Sequence, residues 1–257
     1  MSYNGFVALS AARDSVMVQC PDYQDNLLLK ALSPESRQRI CPNLKLTEMP
    51  AGSTVYESGS VLDSVYFPTD SIISKLHAME DGNSAEFAMI GNEGVVGIAL
   101  FMGGISTPSH AIVQCAGQAY RLSKKHLMAE FALHGEFHHL LLRYTQALIT
   151  QMAQTAVCNR YHSIDQQLCR WLLLSRDRRN SDHFDITHEM ISQLLGVRRG
   201  SISAAATKLQ DSGAIEYRRG HIKILDRADL ERRCCECYAV VSKEYARLLH
   251  SAPGQRS

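Results

Sequence analysis

Nowhere in the 257 residues is there an uninterrupted apolar run long enough to cross a bilayer. The N-terminal stretch also lacks the basic start and apolar middle of a secretory signal. Both absences point to a cytoplasmic chain with no membrane partner. No P-loop, no dinucleotide-binding glycine fingerprint and no Ser-His-Asp order is found, so three common enzyme classes lose their usual markers. Net charge is nearly absent too, since 27 Lys and Arg against 26 Asp and Glu leave +1. That argues against a protein that coats nucleic acid, but not against one that gathers its basic residues in a single domain. Between Arg160 and Arg227 basic residues do exceed acidic ones, among them Arg176, Arg178, Arg179, Arg198, Arg199, Lys208, Arg218, Arg219 and Lys223. The hydrophobic fraction of 45% and charged fraction of 21% are those of a soluble globular protein. The length leaves room for two cores.

Cysteine, by contrast, is plentiful. Eight are present, scattered except for Cys234, Cys235 and Cys237. In a reducing compartment a disulfide framework is not expected. Thiolates favour zinc and iron–sulfur clusters, so the Cys234-Cys235-Glu236-Cys237 group is a candidate redox or metal sensor. It lacks a second ligand pair at the usual spacing. Reduced thiols on a C-terminal helix are therefore expected, with no metal and no cofactor. His134 and His138 stand four residues apart with His139 following, a spacing that can bind a metal on a helix face. Metal-dependent enzymes of cupin type place their ligands on barrel strands instead. There the chain offers only His77 and His110 with Glu86 and Glu93, in no clustered motif, so no catalytic residue is assigned.

The most informative stretch runs from Ile186 to about Gln210. Thr187 is a good N-cap, and Met190, Ile191, Leu194 and Leu195 follow at helical spacing. Gly196 stands where a helix would end in the left-handed region. A second helix restarts near Arg198, with Ile202, Ala205 and Leu209 on one face. This is the pattern of a DNA-binding helix-turn-helix, whose second helix enters the major groove by its N-terminal end. That end carries Arg198, Arg199, Gly200, Ser201 and Ser203. Residues 214–217 and 221–225 then alternate apolar and polar around Arg218-Arg219-Gly220, which predicts a β-hairpin with a basic tip. Arg218, Arg219 and His221 there are suited to phosphates, and Thr187 to setting the first helix N-terminus against a DNA backbone.

The rest of the chain divides into four stretches. Residues 1–24 lack periodicity and read as a flexible arm. Residues 25–132 open with two short helices, the second started by Ser33-Pro34-Glu35, and continue as short alternating runs. Those runs, near Thr54–Tyr56, Ser64–Phe67, Ser71–Leu76, Ala85–Ile90, Ala111–Cys115 and Gln118–Leu122, are closely and evenly spaced, as in an antiparallel β-roll or jelly roll. Glu80-Asp81-Gly82-Asn83 forms a strong hairpin turn between two of them. Residues 133–160 read as a long helix on which Phe137, Leu141, Tyr144, Leu148, Gln151 and Thr155 lie close to a heptad seam. That stripe packs on the barrel or on a second copy. We expect the copy, because two recognition helices read a two-fold DNA site. Ser163 caps a further helix leading into the winged helix-turn-helix of residues 161–230, and residues 231–257 form a C-terminal helix and tail. The fold class is α+β.

Barrel, long helix and winged helix-turn-helix in that order resemble the superfamily of the cyclic-AMP receptor protein and the fumarate-nitrate-reduction regulator (Crp/Fnr), from about Leu27 to Leu230. The residues that carry the resemblance most specifically are Ile186-Thr187, Gly196, Arg199 and the Gly52…Tyr56…Gly59 strand motif. It implies a homodimeric transcription regulator, with double-stranded DNA and RNA polymerase as partners and Arg199 as the main base-reading arginine. Gly200 stands where many members have a glutamate, and Ala204 where some have a second arginine, so the family's best-known half-site is not assumed. Cyclic-nucleotide-binding members hold the ribose with a glutamate and the phosphate with an arginine. Here Ile98 and Ser109 replace them, with His110 adjacent. A phosphate in a partly apolar pocket needs a cation, so cyclic AMP is not the expected effector, and no other is named by these residues.

Overall fold

The computed structural model describes residues 25–249 apart from 81 and 83. The expected N-terminal arm, residues 250–257 and two of the four hairpin-turn residues, Asp81 and Asn83, lie outside the described residues.

Two short helices open the described chain, α1 (Leu27–Lys30) and α2 (Pro34–Ile40). Asn26 caps α1 by accepting from the amides of Leu28 and Leu29, and its own amide donates to Pro68 O (2.8 Å) and Gly94 O (3.0 Å), tying the helix to the roll. Ser33 caps α2 with Pro34 in its first turn, as expected from its sequence. Seven antiparallel strands follow: β1 (Lys45–Met49), β2 (Thr54–Tyr56), β3 (Ser64–Pro68), β4 (Ile72–Ala78), β5 (Ser84–Ile90), β6 (His110–Cys115) and β7 (Gly117–Ser123). They pair as β1-β7-β3 and β2-β6-β4-β5. Val65 and Phe67 of one sheet and Ile73, Ala111 and Val113 of the other are fully buried, because period-2 alternation turns one face of each sheet inward.

Helix α3 (Lys124–Phe131) leads to the 26-residue α4 (Glu136–Tyr161), about 39 Å long at 1.5 Å per residue. Here the structure corrects the sequence reading. Phe137, Leu141, Tyr144, Leu148, Gln151 and Thr155 are all buried inside the protomer. They face the roll and the C-terminal helix α9 (Glu236–Leu249), which runs back along α4 with Tyr245 donating to Gln151 Oε1 (3.0 Å). A heptad-like stripe only says that something covers it, and α9 belongs to the same chain. A second stripe at heptad spacing stays exposed instead: Leu142, Gln146, Ile149, Ala153 and Ala156. The histidine spacing noted in the sequence does not form an array on the helix. His134 precedes the helix at φ 52°, and His138 stacks on Phe131 at 4.1 Å while bonding its carbonyl.

The capping box of Ser163 and Gln166 starts α5 (Ile164–Arg179), which ends at Asn180 in the left-handed region. Strand β8 (His183–Asp185), helices α6 (His188–Leu195) and α7 (Arg199–Asp211), strands β9 (Ile215–Arg218) and β10 (His221–Ile224) and helix α8 (Arg227–Arg233) complete the C-terminal half. Its sheet has the order β8-β10-β9, so a strand that the sequence did not announce closes the edge of the expected hairpin. Arg178 locks α5 to the roll: it is 3% exposed, donates to Met89 O (2.7 Å) and lies 2.8 Å from Glu93 Oε1. Gly91 makes room for it, since a Cβ there would stand 2.5 Å from Arg178 Cβ. No helix among the described residues is long and apolar enough to cross a membrane. Cys41 is disulfide-bonded, which the sequence reading did not foresee, while the six cysteines from Cys115 onward are free thiols.

Candidate nucleic-acid interface

The α6–α7 pair is built by local rules. Thr187 Oγ1 accepts from the Met190 amide (3.2 Å), satisfying one of the orphan donors at the α6 N-terminus. Gly196 ends the helix at φ 65°, and its amide returns to the α6 carbonyls. Arg198 occupies the N-cap of α7 without a side-chain capping bond, which leaves its guanidinium outward. Ile191, Leu194 and Leu195 of α6 and Ile202, Ala205 and Leu209 of α7 form the shared core, and Ser192, buried at 4%, permits the close crossing.

The candidate contact residues then fall into three groups. Arg198, Arg199 and Gly200 are exposed at the first turn of α7, with Ser201 half-buried beside them. Arg199 is loosely held by Glu189 (3.8 Å), and its side chain stays 70% exposed. In the wing, Arg219 at φ 50° and Gly220 at φ 88° make the mirror-image two-residue turn that matches strand twist, with Arg218 paired to His221 across it. Arg218 and Arg219 are exposed. Ser203 and His221 are already engaged. Ser203 Oγ lies 3.1 Å from His188 Nδ1, and His221 Nδ1 lies 2.6 Å from Asp185 Oδ1. Sequence reasoning missed His188, whose ring stacks on Tyr217 at 3.9 Å and so joins α6, α7 and the wing. Burial, then the charge of Arg199, holds its pKa below the ordinary histidine value. An aromatic at the wing strand facing a histidine at the start of α6 was the available signal.

Ion pairing sorts the basic residues further. Arg176 pairs with Asp182, Arg178 with Glu93 and Lys208 with Asp165. Among the described residues, Arg198, Arg218, Arg219 and Lys223 have no ion pair. The α7 N-terminus and the wing thus both carry exposed, unpaired positive charge, which is what attraction to a phosphate backbone requires. Gly200 has open space around it, because a Cβ would meet nothing within 4 Å. Gly200→Ala is therefore expected to stabilise the fold by about 0.4–1 kcal/mol, read as a higher urea midpoint with an unchanged slope.

The recognition turn also faces its own roll. A Cβ on Gly196 would stand 3.3 Å from Ala85 Cβ of β5, and a cleft lined by Gly82, Ser84, Arg198, Arg199 and Ser201 separates the first turn of α7 from the β4–β5 hairpin.

Inside the roll, Ser109 is 1% exposed and its hydroxyl lies 2.9 Å from Thr107 Oγ1. It also bonds Tyr56, whose hydroxyl burial pushes up to about 12. Ile98 begins a short 3-10 turn and is only partly buried. A cation that sequence reasoning overlooked is Lys75, 8% exposed on β4 and paired in register with Ala111, two residues beyond Ser109. Its ammonium stands 5.2 Å from the Phe87 ring centroid, and desolvation lowers its pKa. Three of the four candidate enzyme ligands are engaged elsewhere: Glu86 accepts from Ser74 (2.5 Å), Glu93 faces Arg178 and His77 packs on Phe87. None of them, nor His110, belongs to a potential metal-holding group among the described residues.

Two family models match the sequence, the cyclic nucleotide-binding domain over residues 46–134 and the Crp-like helix-turn-helix domain over residues 166–233. No curated protein matches it. Solved structures share the architecture. FixK2 from Bradyrhizobium japonicum is similar over 75% of this chain and 98% of its own, at 15% identity and a TM-score of 0.62. A CRP-family transcriptional regulator of Thermus thermophilus covers 73% and 95%, at 18% identity and 0.61. A transcriptional regulator assigned to the Crp/Fnr family in Eubacterium rectale covers 80% and 96%, at 16% identity and 0.58.

Proposed function

We propose that this chain, which belongs to the Crp/Fnr superfamily of transcription regulators, acts in the cytoplasm as a homodimer that reads a two-fold DNA site through α7 and does not respond to cyclic AMP. The observation that carries the reading is the gathering of exposed arginines at the first turn of α7 and the tip of the wing. Arg199 reads a base edge, most naturally guanine O6 and N7, and Arg198 reads a base or holds a phosphate. Arg218 and Arg219 add phosphate contacts with little sequence preference. Thr187 sets the α6 N-terminus against the backbone. His221 adds a phosphate contact of the same kind once it leaves Asp185, Ser201 contacts phosphate or base, as does Ser203 once it leaves His188, and RNA polymerase is the onward partner. The domain division proposed is the roll to residue 132, the dimer helix to 160 and the DNA-binding unit to 230.

Selection from a random-sequence DNA pool by the purified protein tests this. Enrichment of a two-fold motif with half-sites about one helical turn apart supports it. An unenriched pool, with and without candidate effectors and oxygen, would sink it.

The exposed stripe Leu142–Gln146–Ile149–Ala153–Ala156 is the surface we assign to the dimer, since Ile149 is 53% and Leu142 44% exposed in the protomer. A two-fold axis makes each residue count twice. Ile149→Glu is expected to weaken the dimer at least about 100-fold, with sedimentation shifting to the monomer. An unchanged sedimentation coefficient at micromolar concentration would remove this face from consideration.

The reading against cyclic AMP rests on Ser109, which is buried and hydrogen-bonded where a phosphate-binding arginine would be needed. Lys75 is the cation available to an acidic effector entering the roll. Submicromolar binding of cyclic AMP in a calorimeter would overturn it.

A further inference from the structure

Apart from the residues proposed to read DNA, the fold completes the ligand set that the Cys234–Cys237 group lacked. Cys158 in the last turn of α4, His162 as the C-cap of that helix, and Cys235 and Cys237 at the start of α9 each present one donor atom, and the four atoms lie within 4.8 Å of one another. Cys158 Sγ stands 3.6 Å from Cys235 Sγ, and Cys237 Sγ stands 3.5 Å from His162 Nδ1. A disulfide would bring its sulfurs to about 2.05 Å, so these are not oxidised pairs. Around tetrahedral zinc, with Zn–S about 2.3 Å and Zn–N about 2.0–2.1 Å, two sulfurs stand about 3.8 Å apart and a sulfur and a nitrogen about 3.5 Å. Both observed spacings fall within about 0.2 Å of those values.

We propose that Cys158, His162, Cys235 and Cys237 bind one structural Zn2+ per chain. The set is closed in the manner of a structural centre. The three cysteines are 0%, 5% and 1% exposed, and the His162 side chain 15%, which leaves no open position for a substrate. With Nδ1 toward the sulfurs, His162 turns Nε2 to Glu236 Oε2 at 3.4 Å, the carboxylate–histidine arrangement that fixes ring orientation in zinc sites. Binding releases the three thiol protons to solvent, so the metal and three thiolates carry a net charge of −1. The buried Arg170 answers that charge. It is 4% exposed, its Nη1 donates to Thr155 Oγ1 (3.2 Å) one turn before Cys158, and its Nε has no partner among the described residues. Cys234 lies outside the ligand set and is more exposed.

The position gives the metal a structural role. Two ligands end the helix that carries the exposed dimer stripe, one residue before the N-cap of α5. The other two follow α8, the helix after the wing. Zinc there clamps α9 onto α4 at the joint leading into the DNA-binding unit. The inference holds whether or not the DNA motif is found.

The test is metal analysis of the full-length protein purified anaerobically with reductant. About one zinc per chain is expected, falling below about 0.1 in Cys158→Ser, His162→Ala and Cys237→Ser, and staying near one in Cys234→Ser. Where a variant fails to fold, the wild-type protein stripped of metal and refilled with Co2+ keeps the question open to decision. Tetrahedral ligand-field bands and thiolate-to-cobalt charge transfer are expected. A wild-type protein holding under about 0.1 metal per chain and giving only octahedral cobalt spectra would overturn the proposal. So would stoichiometric iron with acid-labile sulfide, or loss of zinc in Cys234→Ser with retention in Cys158→Ser.

Discussion

Replacing Arg199 with alanine is expected to cost about 1–3 kcal/mol at the selected DNA site, roughly a 5- to 150-fold loss of affinity, and to relax the motif at one base position. The argument starts from where the residue stands. It is in the first turn of α7, its side chain is 70% exposed, and a single weak ion pair with Glu189 at 3.8 Å holds it in the free protein. Little is lost in freeing it, while a bidentate bond to guanine in a desolvated groove discriminates strongly against other bases. Arg218→Ala should behave differently. At the turn of the wing its proposed contact is to phosphate, so the loss should be similar on specific and random DNA, and the salt slope should flatten by about one. Titrations of both variants on both DNAs across a salt series separate the roles. Equal losses for the two variants on both DNAs would show the assignment to be wrong.

The second large effect concerns the joint between roll and DNA-binding half. Arg178→Ala is expected to destabilise the protein by about 3–5 kcal/mol, because it strands the Glu93 carboxylate in the interior. The Arg178 Nε contact to Glu93 Oε1 is ionic without hydrogen-bond alignment, whereas Glu93 Oε2 accepts properly from the Gly91 amide (3.0 Å). Burial pushes the Glu93 carboxyl above the ordinary carboxylate range, and Arg178 pulls it back. Removing the arginine takes away that pull. A carboxyl with a raised folded pKa contributes stability that is full below its unfolded value and lost as pH rises through the folded value. The variant's deficit should therefore be larger at pH 8 than at pH 5, and Glu93→Gln in the same background should erase the difference. Urea unfolding at the two pH values measures it. A deficit independent of pH would mean that the lost bonds to Met89 O and Gln151, and not a stranded charge, account for the damage.

Much of the DNA-reading unit could be seen in the amino-acid order. Thr187 as cap, Gly196 in the left-handed region and the Arg219-Gly220 turn are each decided by a few neighbouring residues, so local stereochemistry suffices to place them. The heptad stripe on α4 was visible but its partner was not, because periodicity records burial and not the identity of what does the burying. Strand β8 escaped notice because three residues give too short an alternation to stand out. The engagement of Ser203 by His188 and of His221 by Asp185 depended on contacts across 15 and 36 residues that no local pattern announces.

Amino-acid order thus settled the α+β architecture, the helix-turn-helix with its wing, and the exposed arginines at its reading end, since these follow from caps, turns and periodicities spanning a few residues. Only the tertiary structure decided which face of α4 is left for a partner, how Arg178 and Glu93 bind the two halves together, and that Cys158 and His162 meet Cys235 and Cys237 across 77 and 75 residues. The reason is loop closure. Contacts made over such separations are set by the packing of whole helices and sheets, and the residues between them carry no trace of where the chain will return.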